Sequence, residues 1–291
     1  MTWLTLSLAL AADPDPLTAL AVGAASYTTL AVSHEVVGHG VGCAAAGGRP
    51  TGFSTTFMVC DTAGMGPGDV RFGTFAGTGA NLIVGGAAAG GLVLGRPRDG
   101  WTQHYLWTTA TTSLFLSGSY MATGALFDTG DFGEYVSTID PQRQGGTRVA
   151  LGVAGLGLVG LTFPVSMWLA DPILGTEPDG RGRRKRSLAW IPYAGVGLGL
   201  MTATGALNKE LGPAEGSVAS LVGYGLGTLY LAYMPLVIGN QPGPKTTSTP
   251  VLKRSGPWLA VGAASLATLV VLGRGVGSLD PEPLDAWRDT P

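Results

Sequence analysis

The sequence predicts an all-α polytopic integral membrane protein of about seven transmembrane helices. Three observations predict it. Only 12% of the 291 residues are charged, where soluble domains carry about 25%. Mean hydropathy is +0.30. The 48 glycines suit helices that approach closely in lipid, where packing rather than the hydrophobic effect drives association.

About twenty apolar residues cross a bilayer. Seven stretches qualify: 17–46, 71–95, 102–127, 147–171, 188–207, 216–239 and 257–275. Residues 1–146 hold the first three stretches and every candidate chemical group. Residues 147–291 add further helices of the same membrane domain and a tail. Thr2 to Ala12 is apolar but too short to span, and reads as an N-terminal helix lying at the interface in preference to a weak signal-like segment. Residues 49–62, rich in Thr, Phe and Val, suit either a short strand or hairpin next to the candidate site or a plain surface loop. Cys43 and Cys60 can pair in an oxidising compartment; the simpler expectation is two separate small apolar residues.

Loop charge sets the orientation. One side collects Arg96, Arg98, Arg181, Arg183, Arg184, Lys185, Arg186, Lys245, Lys253 and Arg254. The other collects Arg49, Arg71, Arg143, Arg148 and Lys209. The ten-to-five bias puts the N-terminus inside, in a cytoplasmic (inner) membrane. A formal net charge of −2 gives no sign of nucleic-acid binding, and the bilayer is the expected partner. The fourth to seventh spans carry no series of carboxylates, which argues against a proton-driven transporter.

Two of the three histidines fall in His34-Glu35-Val36-Val37-Gly38-His39, inside the first span. Ionisable groups at that depth call for a functional explanation. In the zinc motif H-E-x-x-H the two ligands are four residues apart and share a helix face. Here they are five apart, about 140° around a regular helix. One extra residue taken up as a π-bulge near Gly38 brings them back together. Otherwise Glu35 and His39, four apart, are the pair, or no metal binds. His104 starts the third span at the far face, roughly 36 Å from Asp128 along a helix, and is a poor ligand.

Two later strings accompany this one: Phe75-Ala76-Gly77-Thr78-Gly79-Ala80-Asn81-Leu82 and Leu126-Phe127-Asp128-Thr129-Gly130-Asp131. Parity puts all three at the same side of the membrane. In order and placement they resemble the site-2 protease family of intramembrane zinc metalloproteases, with its H-E-x-x-H, A-G-P-x-x-N and L-D-G strings. The resemblance covers about residues 20–135. It implies hydrolysis of peptide bonds in a membrane-protein or peptide substrate, with zinc as the cofactor and His34, His39 and Asp128 as ligands. It also implies Glu35 as the general base and Asn81 as the group that holds the substrate carbonyl. Asp131 is the rival third ligand. The sequence departs from the family in the longer His spacing, in Thr78 for Pro, and in Thr129 between Asp128 and Gly130. Two alternatives stay open: an inactive pseudoprotease that binds membrane proteins, and a helical channel or transporter.

Overall fold

Lipid leaves backbone N–H and C=O groups no partner outside the chain, so apolar spans fold as helices. A computed structural model describes residues 15–95, 97, 99–174, 203 and 252–278. Helix α1 (Pro16–Ala31) begins with Asp15, whose carboxylate accepts from the Thr18 N–H at 2.9 Å and the Thr18 hydroxyl at 2.8 Å. Pro16 follows at the first helical position, where a missing N–H costs nothing. The rod continues without a break through a π-helical segment (Val32–Gly40) into α2 (Val41–Ala45).

A hairpin follows, β1 (Arg49–Phe53) and β2 (Met58–Asp61), antiparallel with Arg49 opposite Asp61 and Phe53 opposite Met58. Then come α3 (Pro67–Gly95), α4 (Gly100–Phe127), the short α5 (Gly130–Ser137), α6 (Pro141–Leu174) and α7 (Gly256–Gly273). After α7, β3 (Val276–Gly277) pairs with β1, giving the strand order β2-β1-β3. The hairpin matches the expected strand region; the third strand, supplied from 225 residues downstream of Thr51 at Val276, was not legible there.

Among the described residues, four rods are long and apolar enough to cross a membrane: Pro16–Ala45, Pro67–Gly95, Pro141–Ala170 and Gly256–Gly273. They correspond to four of the seven expected spans. Expected span 102–127 forms α4, of the right length but rich in Thr and Ser. It is extensively buried and packs against α1, α3 and α6. Expected spans 188–207 and 216–239 lie outside the described residues, as do the N-terminal segment and the Arg181–Arg186 run.

Helix α7 lies parallel to α1. Arg254, just before α7, meets Asp15 at 3.3 Å, while β3, just after it, reaches β1. That gives the bundle two distinct ends. At the first, Trp101, Trp107, Leu169 and Leu252 form a buried apolar cluster. Trp101 donates to the Lys253 carbonyl at 2.7 Å and Trp258 donates to Asp99 at 3.1 Å. At the second lie the hairpin, α5 and both cysteines. The expectation of two separate cysteines is corrected: Cys43 and Cys60 form a disulfide that ties α2 to β2. Closing a loop of this size stabilises the fold by roughly 3 kcal/mol.

Candidate metal centre

The extra residue between the histidines is absorbed by the π-helix, whose i→i+5 pairing sets residue i beside residue i+5. His34 and His39 therefore face one way, with their Nε2 atoms 3.2 Å apart. Both are buried, 5% and 6% exposed.

Close helix approach makes room for them. A methyl group at Gly38 would lie 2.7 Å from the Ala76 carbonyl oxygen, and one at Gly77 would overlap the His39 ring. The Ala76-Gly77 pair thus brings the α3 backbone directly against the π segment. From there the Gly73 carbonyl, at 2.9 Å, accepts from His39 Nδ1–H. A carbonyl cannot donate, so in the neutral ring Nε2 carries the lone pair.

Asn81 is 2% exposed and fixes the other ring. Its amide lies between His34 Nδ1, at 3.2 Å from Nδ2, and the Ser33 hydroxyl, in contact with Oδ1. Ser33 also donates to the Leu30 carbonyl at 3.0 Å. A hydroxyl has one proton, and the two amide ends are told apart only by their partners. With the amide turned over, Ser33 donates to Leu30 and accepts from the Asn81 NH2 group. The Asn81 carbonyl then accepts from His34 Nδ1–H, and every group in the chain is satisfied. His34 Nε2 becomes a second lone pair.

The third group is Asp131, at the first turn of α5. Its Oδ2 lies 2.9 Å from His39 Nε2 and 3.2 Å from His34 Nε2. When the imidazoles carry protons in place of a cation, His39 and His34 more than offset the burial of Asp131 and hold its carboxyl below the usual carboxylate range. Asp128 stands elsewhere. It ends α4 in the left-handed conformation (φ 60°, ψ 45°) and is bound by Arg148 at 3.0 Å, with its side chain 61% exposed. Gly130 (φ 57°) completes the turn that swings Asp131 inward. The candidate ligand set is therefore His34, His39 and Asp131, with Asp128 replaced by its neighbour.

These three can hold one cation. With metal–ligand bonds of about 2.0–2.1 Å, tetrahedral ligand atoms lie about 3.3–3.4 Å apart. Octahedral neighbours lie about 2.9–3.0 Å apart, so the three separations fit a single ion. Two lone pairs and a carboxylate within hydrogen-bond distance repel unless a positive charge joins them. Each imidazole has its other nitrogen anchored, the usual outer support of a metal-binding histidine.

Glu35, between the ligand His34 and the exposed Val37, is 2% exposed. Its carboxylate is close enough to act electrostatically on His39 and Tyr120. Tyr120, on α4, was not singled out by the sequence. Its hydroxyl accepts from the Asp131 N–H at 3.3 Å, and its ring stands edge-on to His34 at 5.8 Å. No local pattern marks it; only the antiparallel return of α4 to the site end brings it there. His104 sits at the opposite end of α4, 5.9 Å from the Trp101 ring, as its place in the sequence requires. No protein-family model, curated protein or solved structure matches the chain.

Proposed function

We propose that the protein is a zinc-dependent peptidase that cleaves membrane-anchored protein segments at one face of the bilayer. The observation that carries this reading is the convergence of two imidazole lone pairs and one carboxylate on a single point, beside a buried glutamate. Two histidines and a carboxylate, with a position left for water, make a ligand set used by catalytic zinc. A bound zinc would acidify a water and polarise a carbonyl. Glu35 accepts the water's proton and returns it to the departing amine. Asn81, expected to hold the carbonyl, instead orients His34 through its side-chain amide. Among the described residues β2 is an edge strand of the sheet, so an extended peptide can add to it as a further strand.

The same reading puts the site on the oxidising side of a cytoplasmic membrane. Two independent features support this. The disulfide lies four residues beyond His39, and disulfides persist in oxidising compartments. Lys253 and Arg254 sit at the other end, beside Trp101 and Asp15, as the positive-inside rule requires of a cytoplasmic face.

Metal analysis of the purified protein tests the peptidase reading. About one zinc per chain is expected in the wild type and in Asp128→Ala, and almost none in His39→Ala or Asp131→Ala. Wild-type protein without zinc would sink the proposal.

A further inference from the structure

With Asn81 committed to His34, the site needs another donor for the oxygen that gains negative charge when an amide carbonyl is attacked. We infer that Tyr120 is that donor. The inference rests on the peptidase reading and adds a catalytic residue to it.

Three observations point to Tyr120. Its hydroxyl oxygen accepts the backbone N–H of Asp131, the residue whose carboxylate completes the triad. Its ring edge faces the ring of His34, the opposite member of the triad. The phenol is thereby held at the margin of the site between two candidate ligands. Its own proton has no acceptor among the described residues, since its one hydrogen bond is received rather than given. Accepting the Asp131 N–H also polarises the O–H and strengthens it as a donor.

The turn is shaped around this phenol. A methyl group at Gly130 would collide with the Tyr120 hydroxyl. The Phe132 ring packs on Tyr120 from the other side, at 6.2 Å between centroids. The half-buried ring is thereby packed in place, with its hydroxyl against the backbone of Asp131.

The chemistry is electrostatic. As the water oxygen bonds to the carbonyl carbon, the C=O π pair moves onto the oxygen, and the Tyr120 O–H bonds to that oxygen without losing its proton. When the C–N bond breaks, the pair returns and Glu35 delivers its proton to the amine. A hydrogen bond aimed at developing charge acts mainly on the transition state.

Acetohydroxamate binding to cobalt-loaded protein, followed by visible absorption, tests the assignment. The anionic oxygen of this probe presents a comparable acceptor. Tyr120→Phe is expected to keep one cobalt per chain and the wild-type thermal midpoint, while binding acetohydroxamate about tenfold to a hundredfold more weakly. Incorporating 3-fluorotyrosine at position 120 keeps the donor and is expected to preserve tight binding. Unchanged affinity in Tyr120→Phe overturns the assignment. So does loss of cobalt in that variant, which would make Tyr120 a support for Asp131 alone. Wild-type protein that takes up neither cobalt nor zinc overturns the peptidase reading itself.

Discussion

The two ends of the bundle are built on different principles. The end with Asp15, Trp101 and Leu252 is held by large rings, a buried apolar cluster and well-formed helix caps. The end with His34 and Asp131 is held by glycine contacts, a buried polar network and a covalent cross-link. Volume holds the first end together and direction holds the second. The lesson is that small residues next to a polar site are as specific as the polar residues. They fix how near the backbone comes, and so where a ring can stand.

That contrast can be broken in four ways. The largest effect is expected at Gly77. Gly77→Ala places a methyl group on the His39 ring and should reduce zinc affinity more than a hundredfold, read by competition with a chromogenic chelator. Retained affinity would mean the close approach is not needed. Next is Trp107, 1% exposed and bonded through its indole N–H to the Ser166 carbonyl at 2.9 Å. Trp107→Ala should cost on the order of 3 kcal/mol of stability in detergent, with zinc stoichiometry in the folded fraction unchanged. Loss of zinc at equal fold would show that the two ends are coupled. Asn81→Leu keeps the volume but removes the anchor of His34; about a tenfold to hundredfold loss of zinc affinity is expected, measured in the same competition assay.

The smallest effect is at Asp15. Burial pushes its carboxyl up, but the Thr18 N–H and hydroxyl, with Arg254, more than offset this and hold it below the ordinary value. A depressed carboxyl stabilises the fold above its unfolded pKa of about 3.9, and that stability is lost as pH falls through the lower folded value. Asp15→Ala should therefore cost about 1 kcal/mol at neutral pH. The gap to wild type should close on acidification below about pH 4. A gap that is constant with pH would assign the effect to backbone conformation instead.

Much of the site was legible because its constraints are local. The five-residue His spacing permits a shared metal only if the helix takes up one residue, and Val32–Gly40 does so. Asn81 fell in the right layer because helix phase and parity fix depth. The choice between Asp128 and Asp131 was not local. It depends on where α4 ends, and the left-handed turn at Asp128 and Gly130 decides it by turning one carboxylate out and the next one in. The β1–β3 pairing and the approach of Tyr120 to His34 join residues far apart in the chain, so no periodicity announces them. Nor did hydropathy alone separate α4 from its neighbours. Its hydroxyl-rich sequence is tolerated because three helices surround it.

The π-helical segment has a consequence for how the chain can vary in length. Inserting or removing one residue within a helix rotates everything beyond it by about 100°. Between His39 and Cys43 such a change would turn Cys43 away from Cys60. Between His34 and His39 the π segment takes up the extra residue, so losing it would restore regular helix with both imidazoles and Cys43 still in phase. The cross-link and the paired imidazoles thus act as two pins through one rod. The interval from His39 to Cys43 is thereby fixed at four residues.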